Sequence, residues 1–324
     1  AQKKTPSFSV LQKLDRTRLI IHTCFMKYRL FFHDFFALSL YFLRQTRYNT
    51  DKILKRRRVS ARKEAPMHYQ GYEALASFYD LLQTDADYPA LARFYKEAFS
   101  RYGTGETKSV VDLGCGTGKL LALLAQDGYD LTGVDASEQM LSLAQGRTAS
   151  LPDVLLLQQD MTKLDLYDVA DAVVSSFDCL NYLPSPAALS ACFDRVALFL
   201  RDNGLFLFDV NTEYKFRNIL AQETYVLRND DVFCTWENEF VPDSGICHFY
   251  LTLFSKNADG TWSRSEEYQR ERMFTDRVLR TRLQKSGFSV LAAFADTDFT
   301  APGETDPRRF YICRRLPRNA KCTD

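Results

Sequence analysis

The 324-residue sequence predicts an α/β domain, a mostly parallel sheet with helices on both faces and a late antiparallel β insertion. Two patterns carry this prediction. From residue 109 short apolar runs alternate with stretches of helical period, the order that builds a parallel sheet between two helical layers. After Asn211 the alternation stops. Residues 223–270 read as successive antiparallel strands, with turns at Asn229-Asp230, Asp243-Ser-Gly245 and Asn257-Ala-Asp-Gly260.

Each element follows from its own pattern. Tyr72, Leu75, Ala76 and Tyr79 fall near i, i+3, i+4, i+7 spacing and predict a first helix. A second, over 88–101, follows Asp85–Asp87. Ser109-Val-Val-Asp-Leu113 is a short apolar strand running into glycines. Helix 119–127, strand 130–134, helix 137–146 and strands 154–158 and 171–176 come next. Asn203-Gly204 is a stop signal, so helix 186–201 ends there and strand 205–210 follows. Helix 275–286 stops at Gly287, and strands 288–294 and 308–314 complete the sheet. An insertion late on the ligand side of such a sheet is a candidate lid.

Charge divides the chain near Met67. Residues 1–66 hold 16 basic and 4 acidic side chains, a net of +12, whereas 67–324 hold 26 and 37, a net of −11. An acidic body is poorly suited to long phosphate backbones, whose binding needs Lys and Arg to displace counterions. Nucleic acid is therefore disfavoured as a bulk substrate, although a short RNA contact survives the argument. The eight cysteines show no C-x-x-C spacing, so neither a zinc site nor a redox dithiol is signalled, and a reducing cytoplasm fits best.

Residues 1–66 are the odd part. The apolar run 19–43 is interrupted by Lys27, Arg29, His33 and Asp34, so it does not meet the requirement for a span. The basic run 52–63 reads as exposed. Three readings stand: a membrane-surface anchor, a partner-binding arm, or an upstream region outside the native protein, with Met67 as its start. Membrane contact is expected only through this segment.

The most informative stretch is VVDLGCGTGKL, 110–120. Its glycines let the backbone turn sharply and approach a ligand, and a helix N-terminus adds N–H groups aimed the same way. A P-loop ending at Gly118-Lys119 requires Gly at 113 and Ser or Thr at 120, where leucines stand. The dinucleotide fingerprint requires glycine at 119, where lysine stands. What remains is D-x-G-x-G-x-G from Asp112 through Gly114, Gly116 and Gly118. This string resembles the first motif of class I S-adenosylmethionine (SAM)-dependent methyltransferases.

The resemblance covers roughly residues 67–315 and implies a Rossmann-like, seven-stranded methyltransferase sheet with SAM as cofactor. Asp135 ends the second strand 23 residues after Asp112, near the spacing at which nucleotide folds place a ribose-binding acid. Capping the following helix is its other reading. By resemblance, Asp160 meets the adenine amino group, Met161 packs near the ring, and Phe177 and Asp178 border the methionine part. Cys115, Ala136 and Met140 complete the expected cofactor wall. Asn181 and Tyr182 are implied on the acceptor side, with helix capping as the alternative.

Within the superfamily the chain is similar to the small bacterial YqeM-like methyltransferases. The shared features are Tyr79-Asp80, the Phe177-Asp-Cys-Leu-Asn-Tyr182 loop, and the insertion with His248-Phe-Tyr-Leu-Thr-Leu-Phe254. The resemblance implies that Tyr79 closes over the SAM carboxylate; a core aromatic is the other reading. One departure matters. Where the group often has histidine this chain has Glu267, so Tyr268, Arg270 or His248 are the candidates to shape the acceptor site.

The resemblance implies an enzyme that transfers methyl to an oxygen or nitrogen of a small-molecule acceptor by in-line attack. No triad, metal cluster or paired-carboxylate signature appears in the sequence, in keeping with a reaction governed by positioning. An RNA (tRNA) methyltransferase and a non-catalytic SAM-binding module are the rival readings. An NAD-dependent oxidoreductase ranks last because of Lys119.

Overall fold

The computed structural model describes residues 75–83, 86–221 and 223–317. The readings placed on residues 1–66 and on Tyr72 lie outside them. The described chain runs α1 (Ala76–Leu82), α2 (Tyr88–Tyr102), β1 (Ser109–Leu113), α3 (Lys119–Ala125), β2 (Asp130–Asp135), α4 (Glu138–Thr148) and β3 (Val154–Gln158). It continues through β4 (Ala170–Ser175), α5 (Pro186–Phe199), β5 (Leu200–Asn211), β6 (Thr224–Arg228), β7 (Val232–Val241), β8 (Ile246–Lys256) and β9 (Trp262–Arg272). Finally come α6 (Asp276–Lys285), β10 (Phe288–Phe294) and β11 (Arg308–Arg315).

Seven strands form one sheet in the order β10-β11-β5-β4-β1-β2-β3. Only β11 runs against its neighbours. Strand alternation splits the core into two layers. Phe206, Phe208 and Val210 of β5 pack with Phe193 of α5 and Leu279 of α6 on one face. Leu205 and Leu207 pack with Phe94 of α2 and Leu121 of α3 on the other. The helices start where polar caps dictate: the side chains of Asp87, Ser137, Ser185 and Thr275 accept N–H bonds at the starts of α2, α4, α5 and α6. The chain leaves β1 for β2 and β3 on one side, then returns to β4 on the other. The carboxyl ends of β1 and β4 thus flank the crevice where open α/β sheets bind ligands.

One boundary differs from the sequence reading. Helix α5 stops at Phe199, and the chain turns through Asn203 at φ 65° before pairing again. Gly204 is needed there because a Cβ would meet the Asp171 and Arg201 carbonyls at 2.9 Å. The stop signal therefore marks an irregularity at the start of β5, between the pairs Leu200–Ala170 and Leu205–Ala172.

Strands β6-β7-β8-β9 form a separate antiparallel sheet, and its three turns fall on the Asn229, Asp243–Gly245 and Asn257–Gly260 signals. One face buries Cys234, Cys247, Phe249, Leu251 and Leu253 against Leu75 and Phe78 at α1 and Phe216 of the turn after β5. The Leu75 N–H donates to Glu267 Oε2 at 2.8 Å, fastening the start of α1 to β9. Among the described residues no helix is long and apolar enough to cross a membrane.

Candidate active site

The glycine loop leaves β1 as a left-handed turn. Gly114 has φ 84°, and a Cβ there would lie 2.6 Å from Cys179 Sγ. Its N–H and that of Cys115 both donate to the Val134 carbonyl, tying the loop to β2. Gly116 has φ 54°, and a Cβ there would meet no protein atom within 4 Å. It would project into a cavity of about 550 Å³. Gly118 begins α3 and packs against Ala144 instead of lining that cavity.

Two carboxylates define the cavity floor. Asp135 Oδ2 accepts the Gly116 N–H and Oδ1 the Ser137 N–H, each at 2.9 Å. Ser137, not Asp135, is the helix cap: its Oγ accepts the Met140 N–H at 3.2 Å. Asp112 is 2% exposed, and its Oδ1 has no hydrogen-bond partner. Burial first, then the neighbouring Asp135, push the Asp112 carboxyl up to about 7. A buried, unpartnered carboxyl oxygen suits a cation, and the α-amino group of SAM supplies one. The two acids, a glycine cradle and an apolar wall of Met140, Met161 and Leu183 together fit SAM.

Of the residues expected at the cofactor, Tyr79, Asp112, Gly114, Cys115, Gly116, Asp135, Ala136, Met140, Asp160, Met161 and Phe177 line this cavity. Asp160 is exposed, and its Oδ1 accepts two bonds from Thr162 at 2.8 Å. Tyr88 and Cys179 line it as well, although neither was singled out in the sequence. The Tyr88 ring packs tilted against Phe177, centroids 4.8 Å apart, and lies under Lys119 Nζ at 5.2 Å. Only the fold brings that helix start to the end of β4.

Asp178 lies elsewhere. Phe177 and Asp178 take left-handed backbone at φ 54° and 56°, a conformation that costs a non-glycine residue energy and persists only where its surroundings hold it. Their N–H groups donate to the two Asp209 oxygens at 2.8 and 3.0 Å. Arg308 Nη1 pairs with Asp209, and its Nη2 with Asp178 Oδ1 at 2.5 Å. Against the desolvation of burial, Arg308 and Lys215 hold the Asp178 carboxyl below the usual range.

Asp178 lines a second cavity, of about 350 Å³, between the ends of the main sheet and the inner face of the insertion sheet. Tyr79, Phe177 and Tyr182 border both cavities. Tyr225, Trp236 and Phe249 supply aromatic walls, and Lys215, Glu271 and Arg308 supply charge. Glu271 is 3% exposed and accepts the Asn211 Nδ2–H at 2.8 Å. Burial and then Asp178 raise its carboxyl well above the ordinary range, against the pull of Lys215. Glu271 was missed because EEYQRER gives both faces of β9 polar residues, so alternation alone cannot say which face is buried.

The expected acceptor-side residues divide. Tyr182 and Arg270 line the first cavity, and Tyr182 donates to Gln269 Oε1 at 3.1 Å. Asn181 is fully buried and spans two strands: its Nδ2 donates to the Arg272 carbonyl at 2.8 Å, and its Oδ1 accepts the Asn211 N–H at 3.0 Å. Its side chain is spent on holding β9 to β5. His248 and Tyr268 are joined to each other, Nδ1 to OH at 2.6 Å, and line neither large cavity. They alternate with the buried Cys247, Phe249, Glu267 and Gln269, so they sit on the opposite sheet face.

Comparison with known proteins places the chain among methyltransferases. Residues 110–204 match the methyltransferase-domain family model. YqeM of Bacillus subtilis is 31% identical over 250 residues, covering 77% of this chain and 98% of YqeM. A SAM-dependent methyltransferase from Clostridium acetobutylicum superposes with a TM-score of 0.69 at 26% identity, over 76% of this chain and 99% of that one. A shorter match, 36% identical over 132 residues, covers 40% of this chain and 54% of dTDP-3-amino-3,4,6-trideoxy-α-D-glucopyranose N,N-dimethyltransferase of Streptomyces venezuelae.

Proposed function

The chain belongs to the YqeM-like family of SAM-dependent methyltransferases, and from that premise we propose that it methylates an oxygen or nitrogen of a small molecule seated in the second cavity. The observation that carries the reading is the wall of Tyr79, Phe177 and Tyr182 common to both cavities. A reaction between two bound partners needs such a shared boundary, because orientation and proximity supply much of the rate. The partial match to an amino-sugar methyltransferase supports a small acceptor, as does a cavity of about 350 Å³. The six described cysteines are free thiols, in keeping with a cytoplasmic setting.

SAM, when bound, supplies an activated methyl group on its sulfonium. The chain supplies position. Asp112, Asp135 and the Gly114–Gly116 backbone hold the cofactor at the ends of β1 and β2. Tyr79 and Phe177 exclude water from the boundary, and Tyr182, fixed by Gln269, marks the acceptor side. The sequence named His248, Tyr268 and Arg270 only as candidates to shape the acceptor site; the base role we assign to Glu271, whose raised affinity for a proton and place in the second cavity suit it to receive the acceptor's proton.

The test is transfer of label from [methyl-³H]SAM in a bacterial extract separated into small-molecule, RNA and protein fractions. Label in the small-molecule fraction is expected. Label confined to RNA would overturn the reading in favour of an RNA methyltransferase, and no label in any fraction would favour a non-catalytic module.

A further inference from the structure

We propose that the second cavity selects an acceptor bearing an amine, held as its ammonium by the Glu271–Asp178 pair among Tyr225, Trp236 and Phe249. This inference rests on the two-cavity reading above and adds the class of acceptor.

The argument is one of charge. Asp178 and Glu271 line the cavity, and Asp209 lies directly behind Asp178, bridged to it by Arg308. Against these three carboxyls stand two cations among the described residues. Arg308 is fully used by Asp178 and Asp209. Lys215 donates to Asn211 Oδ1 at 2.8 Å and forms no ion pair among the described residues. A buried cluster with more carboxyls than cations must hold protons or receive a cation from outside. Burial and Asp178 make Glu271 the weaker of the two carboxylic acids that line the cavity, and so the one that keeps a proton first.

An ammonium entering the cavity takes the place of that proton. It meets carboxylate oxygens on one side and aromatic faces on the other, both of which attract a cation. A carboxylate or phosphate would deepen the surplus of negative charge, and an alcohol would leave it as it is. For transfer, the ammonium gives a proton back to the Glu271 carboxylate and exposes its lone pair. The N–CH₃ bond then forms as the S–CH₃ bond breaks, with the electron pair of that bond going to sulfur. S-adenosylhomocysteine and the methylated amine result, and one proton is released overall.

The test uses the full chain saturated with S-adenosylhomocysteine, titrated calorimetrically near neutral pH. The probes are 2-phenylethylamine, 2-phenylethanol and 3-phenylpropionate, in buffers of different ionisation heat. The amine is expected to bind tenfold or more tightly than the alcohol or the acid, about the worth of a charge-assisted hydrogen bond. Its binding should release about one proton, the linkage signature of Glu271 ionising. Glu271→Gln should abolish both the preference and the proton release, its S-adenosylhomocysteine affinity serving as the check on folding. Lys215→Met should keep or strengthen amine binding. An amine that binds no better than its alcohol or acid, proton release that persists in Glu271→Gln, or acid binding lost in Lys215→Met would each overturn the inference. Failure of S-adenosylhomocysteine itself to bind would instead bring down the two-cavity reading.

Discussion

Thr117 Oγ1 in the glycine loop donates a 2.8 Å hydrogen bond to Asp80 Oδ1 in α1. The other Asp80 oxygen pairs with Arg147 of α4 at 2.6 Å, and Lys119 Nζ stands 3.2 Å from Oδ1. This clasp sets α1 across the cofactor cavity, with Tyr79 on the boundary. Asp80→Ala is expected to weaken S-adenosylhomocysteine binding roughly tenfold, the scale of a lost charge-assisted bond. Calorimetry checks it. Despite desolvation, bonds from Arg147 and Thr117 hold the Asp80 carboxyl below its ordinary value. The clasp therefore contributes fully above about pH 4 and is lost as pH falls through the lowered value.

Gly116→Val should leave the fold in place and abolish measurable binding. The left-handed backbone there costs a β-branched residue about 1–3 kcal/mol, and the side chain would enter the cofactor cradle. Circular dichroism and an S-adenosylhomocysteine titration separate the two effects. A variant that binds as well as wild type would remove the glycine loop from the cofactor site.

Asp112 gives a pH signature. Its folded pKa of about 7 lies above the ordinary carboxyl value, so the folded chain holds the proton more tightly than the unfolded chain. The sign follows: the cost of ionising Asp112 is absent at low pH and grows as pH rises from about 4 toward 7, lowering stability. A bound ammonium offsets that cost. S-adenosylhomocysteine should bind more tightly as pH rises through about 7, and Asp112→Asn should flatten the dependence.

Arg308 neutralises Asp178 and Asp209, whose side chain is 1% exposed. Arg308→Met leaves those carboxylates uncompensated and should cost about 3–5 kcal/mol, the usual effect of breaking a buried pair. A thermal or urea melt reads this directly. The same change should release the strained Phe177–Asp178 turn and weaken cofactor binding.

The glycine loop, the acids at the ends of β1 and β2, and the late β insertion were legible because each is a local pattern. A strand running into Gly114-Cys-Gly116 needs no distant partner to be recognised. The acceptor side was not legible, because its residues are chosen by which face of β9 turns inward. Tyr268 and Arg270 look as chemical as Glu271 in the sequence, and only the pairing of β8 with β9 puts Glu267, Gln269 and Glu271 on the buried face. Asn181 likewise reads as a substrate contact until both ends of its amide are seen to hold backbone. Asp178 was read as a cofactor neighbour, whereas Arg308, 130 residues later in the chain, draws it to the other cavity.

The most direct test of the two-cavity account is a blocked second cavity. Leu227 lines it from β6, away from the glycine loop. Leu227→Trp should reduce methyl transfer to the small-molecule fraction at least tenfold, in proportion to lost acceptor binding, while S-adenosylhomocysteine affinity stays at the wild-type value. Transfer undiminished in Leu227→Trp, with the cofactor bound normally, would contradict the account and place the acceptor elsewhere.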